Sequence, residues 1–305
     1  MKAKFIQSYS PKLLGFLPHY FLLDQEEINN ANIKKVDNQN KNIQDYWKHK
    51  NIRYDLNEYH FRTDHIFESL KDNEFILASG CSYTMGLGIN EESRWSNQLE
   101  KQLNIPVVNL GVAASDIKTL ISNVCAYIAN FHRPKAIIIQ IPELTRFSYL
   151  SSNGILESKS YYWVYGHMHP DAQPGSKPIV KEIDYLGADY HVNQEVAIRQ
   201  LLLLQTVMAA LHITVIYFSV QKLDLEYHES VNNYTPYVSN NAGVILTDLF
   251  PEDLIYDFCK RPKNDYDFYK YEKTLMEFAR DISHPGDLQN TVWTEYLVKI
   301  LKSKI

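Results

Sequence analysis

"FILASGCSYTMGLG", residues 75–88, joins an apolar run to a cluster of small polar residues. The run stops at Gly80, and Cys81, Ser82, Tyr83 and Thr84 follow before Gly86 and Gly88. "FILAS" (75–79) predicts a strand covered on both faces, which puts Ser82 just past its carboxyl end. Two readings stay open from this stretch alone. It is either a compact polar turn or a turn that exposes a nucleophile where backbone N–H groups converge on a developing oxyanion. It is not a Gly-x-Ser-x-Gly elbow, because Thr84 stands at the final glycine position.

Further apolar runs rich in β-branched residues follow: "VVNL" (107–110), "AIIIQI" (136–141), "TVIYFSV" (214–220) and "VILTDLF" (244–250). Helical periodicities separate them. Trp95, Leu99 and Leu103 recur every four residues, and Ile117, Leu120, Ile121, Val124, Cys125 and Ile128 share a face that Ser115 or Asp116 can cap. "EVAIRQLLLLQTVMAALH" (195–212) is apolar around much of its circumference and predicts a well-buried helix. A last helix carries Val292, Tyr296, Leu297, Ile300 and Leu301 and ends in lysines. Strands alternating with helices imply an α/β fold, a mostly parallel five-stranded sheet between two helical layers. Such a sheet collects its ligand at the carboxyl ends of its strands.

Residues 1–73 read as an N-terminal extension packed on the core, with a polar Asn- and Lys-rich stretch at 29–42 and a mixed aromatic and charged stretch at 52–64. Residues 74–305 form the main domain, interrupted by an insertion at 148–190 rich in Tyr, Gly, Ser and Pro. Connections of that size on an α/β scaffold wall or cap a site.

With 305 residues the chain can bury a large core, and a net charge of -5 disfavours a general nucleic-acid binder. Cys81, Cys125 and Cys259 are odd in number and widely spaced, which argues against a disulfide framework. The N-terminal apolar stretch is broken by Pro11, Pro18 and His19, so it predicts neither signal peptide nor membrane anchor, and the expectation is a cytoplasmic or otherwise soluble protein. His167 and His169 form a His-x-His pair with no third ligand nearby in sequence, so no metal and no cofactor are expected. The assembly state is not legible.

Two further stretches bear on Ser82. "NLGVAAS" (109–115) supplies Asn109 and Gly111 at a second strand end, where a glycine permits close approach to a ligand. "DISHP" (281–285) places Asp281 three residues before His284, just ahead of the last helix. A serine nucleophile needs an imidazole base, and the imidazole needs an acceptor to fix its tautomer.

Together, "GCSYTMGLG" (80–88), "NLGVAAS" and "DISHP" resemble the SGNH (GDSL-type) hydrolase superfamily, in a variant branch with Gly-Cys-Ser-Tyr-Thr in the first block and a tryptophan near the start of the first long helix, matched by Trp95. The likeness covers about residues 74–302. It implies a three-layer α/β/α flavodoxin-like fold. It further implies Ser82 as nucleophile, His284 as general base, Asp281 as its orienting carboxylate, and the N–H groups of Ser82 and Gly111 in the oxyanion hole. The implied activity is ester cleavage without a cofactor. O-acetyl groups on a carbohydrate suit a cleft with polar aromatics, with a lipid or small acyl ester as the alternative. The same acyl-serine serves acyl transfer to a sugar hydroxyl, and a non-catalytic binding or structural protein can keep the same scaffold.

The chain departs from the family after the third strand. "QIPELTRF" (140–147) puts Gln140 at a glycine position and Pro142 at the position of an asparagine that contributes to the oxyanion hole. Proline has no donor to offer. Gln140, Arg146, Asn109 and Tyr83 are therefore the substrate or oxyanion candidates. Arg146 with Glu143 reads equally as a surface ion pair.

Overall fold

The computed structural model describes residues 5, 52, 54–113, 115–142, 146–150, 156–159, 190–219, 243–244 and 284–304. The strands within them are β1 (Ile76–Ser79), β2 (Val107–Asn109), β3 (Ala136–Ile141), β4 (Phe147–Leu150), β5 (Leu156–Lys159), β6 (Thr214–Ser219) and β7 (Gly243–Val244). The helices are α1 (Ser82–Met85), α2 (Trp95–Leu103), α3 (Ile117–Asn130), α4 (Tyr190–Ala210) and α5 (Asp287–Lys304).

The main sheet runs in the order β2-β1-β3-β6-β7, and each neighbouring pair is parallel. Four of its strands are three to six residues long and coincide with the apolar runs at 75–79, 107–110, 136–141 and 214–220. The run at 244–250 enters the sheet at Val244, and 245–250 lie outside the described residues.

Strand alternation sends successive side chains to opposite faces. Leu77, Ile137, Ile139, Val215 and Tyr217 join a buried cluster with Leu120, Val124 and Tyr127 of α3 and Leu201, Leu204 and Met208 of α4. Phe218, the next residue along β6, points the other way and meets Trp95 of α2 at 5.3 Å and Trp293 of α5 at 6.1 Å. Helices α3 and α4 thus cover one face and α2 and α5 the other, an α/β/α sandwich around a mostly parallel sheet.

Three local features refine the sequence reading. Asp116 caps α3, its carboxylate accepting from Thr119 N at 2.9 Å. Helix α4 is not buried all round: Val196, Leu203 and Val207 are 46%, 65% and 43% exposed, leaving an apolar stripe on the side away from α3. Residues 147–150 and 156–159, at the start of the expected insertion, pair antiparallel as a separate two-stranded sheet. The remainder of 148–190 lies outside the described residues.

The described part of the N-terminal stretch is bound to the core by aromatic packing. Phe67 stacks on Tyr59 at 5.0 Å and meets Tyr127 and Phe131 edge-on at 4.9 and 5.3 Å. Phe5 and Phe61 complete the cluster against the end of α3. Phe67→Ala removes a ring that is 1% exposed at the centre of this cluster. It should cost about 3–5 kcal/mol in denaturant unfolding, and a loss below 1 kcal/mol would show that the cluster does not anchor the segment.

Candidate active site

The strand order reverses direction between β1 and β3, and in sheets of this kind the crevice at such a point is where ligands bind. Ser82 stands there. After β1 the chain passes through Gly80 and the extended Cys81, then makes a single helical turn, α1, that begins at Ser82 and is capped by left-handed Gly86. Gly86 N and Leu87 N both donate to Ser82 O, so the turn is closed tightly on the serine. As the first residue of the turn, Ser82 has an N–H with no intrahelical acceptor.

The turn is locked from below by strand ends. Thr84 Oγ1 donates to Gln140 Oε1 at 2.6 Å, tying α1 to the end of β3. Asn109, at the end of β2, donates from Nδ2 to Thr84 O at 2.7 Å and to Ser96 Oγ at 3.2 Å. Asn109 Oδ1 accepts from Gly111 N at 2.8 Å. Gly80 and Gly111 are glycines because of this crowding. A Cβ on Gly80 would lie 1.9 Å from Thr84 Oγ1, and one on Gly111 would lie 2.3 Å from Met85 N.

These contacts redirect three of the expected site residues. Gln140 and Asn109 are both 0% exposed, and each bonds to the turn from beneath as a strut. The reason is register. Gln140 falls on the same face of β3 as Ile138, and Asn109 pairs with Ala78, so both side chains point toward the α2 layer. The N–H of Gly111 is directed at Asn109 Oδ1 and not at the crevice.

His284 reaches the same place from the far end of the chain. It precedes Pro285, Gly286 and α5, and its ring meets that of Tyr83 edge to face at 5.5 Å. Residues 83 and 284, far apart in sequence, are thereby neighbours. Arg146 is half-buried immediately before β4. Cys81 is 1% exposed and a free thiol. Asp281, Glu143, His167, His169 and Cys259 lie outside the described residues.

Two buried arginines, not singled out in the sequence, brace the loop that follows α1. Arg62 donates through Nη1 to Gly86 O and through Nη2 to Ile89 O at 3.1 Å, with its guanidinium 4.3 Å over the Tyr54 ring. Tyr54 OH in turn accepts from Gly88 N at 2.9 Å. Arg94 donates to Arg62 O and pairs with Glu91. Burial pushes the Arg94 guanidinium down to about 9, with Arg62 adding to the lowering and Glu91 opposing it. Burial lowers Arg62 as well, against the pull of Tyr54 and Glu91. The sequence signal is an arginine directly beside a core aromatic in each case, Phe61-Arg62 and Arg94-Trp95.

Among the described residues no group of three or more His, Cys, Asp or Glu could hold a metal ion, and no helix is long and apolar enough to cross a membrane.

No protein-family model matches the sequence. No curated protein matches it either. Among solved structures the chain is similar to a protein of the G-D-S-L family from Desulfitobacterium hafniense, with 17% identity, coverage of 75% of this chain and 99% of that one, and a TM-score of 0.43. It is also similar to an acetyl xylan esterase from the rumen bacterium Butyrivibrio proteoclasticus, with 11% identity, coverage of 79% and 67%, and a TM-score of 0.41. A psychrotrophic esterase from Pseudoalteromonas matches with 11% identity, coverage of 76% and 98%, and a TM-score of 0.39.

Gly111→Ala forces a methyl group against the backbone of Met85 and Thr84. It should destabilise the protein by about 1–3 kcal/mol, measured by thermal or denaturant unfolding, and a stability equal to the wild type would show that the crowding is relieved without cost.

Proposed function

We propose that the protein is a serine hydrolase of the SGNH type that cleaves an ester through an acyl-serine intermediate. The observation that carries the reading is the ring contact between Tyr83 and His284, which puts the candidate base beside the residue that follows the candidate nucleophile, at the carboxyl-end crevice of the sheet. Support also comes from the resemblance of the three sequence blocks to those of that superfamily.

In this mechanism Ser82 Oγ attacks the acyl carbonyl while His284 takes its proton. The tetrahedral oxygen accepts from Ser82 N–H. His284 then gives the proton to the leaving alcohol, and a water activated by the same imidazole releases the acid and regenerates the serine. Asp281 is the proposed carboxylate that orients the imidazole. Gly111 N–H joins the oxyanion hole only by leaving Asn109 Oδ1, and Pro142 offers no donor where the family has an asparagine. Each missing donor costs about 3 kcal/mol of transition-state stabilisation, roughly a hundredfold in rate. The expected enzyme is therefore a slow one on simple esters. An O-acetylated carbohydrate is the proposed substrate, since additional hydroxyl contacts can supply binding energy that the oxyanion hole lacks. A sugar hydroxyl in place of water would make the same intermediate a transferase.

A second reading, a non-catalytic protein on the same scaffold, is favoured by the engaged N–H of Gly111. Labelling with a fluorophosphonate probe separates the two. The wild type should be labelled and Ser82→Ala should not, while His284→Ala should slow labelling and short-chain ester hydrolysis by at least a hundredfold with an unchanged far-ultraviolet spectrum. Absence of labelling in the folded wild type would favour the non-catalytic reading, and labelling of Ser82→Ala at the wild-type rate would remove Ser82 from the role.

A further inference from the structure

Asn290 lies in the first turn of α5 and is 1% exposed. It sits on the same helix face as Trp293, Thr294, Leu297 and Leu301, all buried against the rest of the protein. An amide in such a stripe costs packing and desolvation unless every polar atom finds a partner. Here they do. Oδ1 accepts from Trp95 N at 3.0 Å, and Nδ2 donates to Gly286 O at 2.9 Å and to Pro285 O at 3.3 Å. Trp95 N is one of the N–H groups that α2 cannot satisfy internally, so Asn290 caps a helix remote in sequence while holding the two residues that follow His284.

The bonds continue beyond Trp95. Ser96, the next residue, accepts through Oγ from Asn109 Nδ2, and the same Nδ2 donates to Thr84 O in α1. Thr84 Oγ1 then reaches Gln140 on β3. With short backbone steps from 284 to 286, from 95 to 96 and from 82 to 84, buried hydrogen bonds join the loop carrying His284 to the turn carrying Ser82, beside the direct ring contact of Tyr83 with His284. Asn109, Ser96 and Thr84 are each 0% exposed, so water does not compete for these bonds.

We propose that Asn290 is a positioning residue that sets His284 against the Ser82 turn by holding the carbonyls of Pro285 and Gly286. The inference rests on the hydrolase reading for its consequence in catalysis, but the placement of the imidazole can be read without any activity. The ring of Tyr83 lies edge to face with His284 and shifts the imidazole carbon-bound protons by its ring current, so their nuclear magnetic resonance positions report the contact.

The test compares three full-length variants with the wild type. Asn290→Ala removes both amide donors. Asn290→Asp keeps the acceptor for Trp95 N but sets a carboxylate against two carbonyl oxygens. Thr294→Val, one turn further along α5, removes the hydroxyl that donates to Asn290 O at 2.8 Å and lies 3.2 Å from Trp95 O, but leaves the Asn290 amide and its hold on residues 285 and 286, and so controls for the loss of a buried polar contact on the same helix. Both Asn290 variants should move the His284 proton signals toward their positions in an unstructured peptide and slow fluorophosphonate labelling at least tenfold, measured well below each variant's melting temperature. Thr294→Val should keep the His284 signals and label within about twofold of the wild type. Wild-type signals and labelling in a folded Asn290→Asp or Asn290→Ala protein would overturn the proposal, as would equal losses in Thr294→Val. Should the wild type fail to label at all, the hydrolase reading falls, and the imidazole signals still decide the role of Asn290.

Discussion

The structure depends on the docking of α5 against α2 over one face of the sheet. Trp95 and Trp293, both 0% exposed, converge on Phe218, and Asn290 and Thr294 bond to the backbone of Trp95. The aromatic contacts supply the area and the Asn290 amide supplies the register. Apolar packing alone tolerates sliding by a turn, whereas a buried amide is satisfied at one setting only. That setting brings His284 to Tyr83, and without it the two ends of the chain would share a sheet but not a site.

Much of the architecture was legible because the parallel strands are buried on both faces. Such strands read as unbroken apolar runs, and those at 75–79, 107–110, 136–141 and 214–220 each became a strand. The hairpin of 147–150 and 156–159 was less legible, since "FSYL" and "LESK" alternate only weakly, although Asn153-Gly154 between them is a turn signal. The burial of α4 was overestimated because four consecutive leucines, 201–204, span every direction around a helix, and composition alone does not say which of them faces water. Leu201 and Leu204 are buried and Leu203 is exposed, as period 3.6 requires once one face is chosen.

The candidate site was legible as a place but not as a set of directions. Ser82 and His284 could be located because strand ends and helix starts mark them. Asn109, Gln140 and Gly111 stand at the right ends of the right strands, yet Gln140 and Asn109 bond to Thr84 and the N–H of Gly111 bonds to Asn109. A shift of one residue along a strand reverses the face a side chain occupies. Motif spacing fixes the position to within a residue or two, which is not enough to separate a ligand contact from a strut.

The segment before the sheet contributes more than cover. Arg62 satisfies the carbonyls of Gly86 and Ile89, just beyond the α1 turn, where no further helical N–H is available to do so. Arg94 braces Arg62 in turn and pairs with Glu91. Two guanidiniums side by side in a buried setting are an expensive way to satisfy carbonyls, as the lowering of both by burial reflects. Their planar forks, however, bind several acceptors at once and resist rotation, which a lysine's single ammonium does not. The turn bearing Ser82 is therefore gripped from two independent sides. The Asn109 and Gln140 struts hold it from the sheet, and the Arg62 fork holds the loop that closes it. A single helical turn has too few internal bonds to keep its own geometry, so the fixed position of that serine derives from groups outside the turn itself.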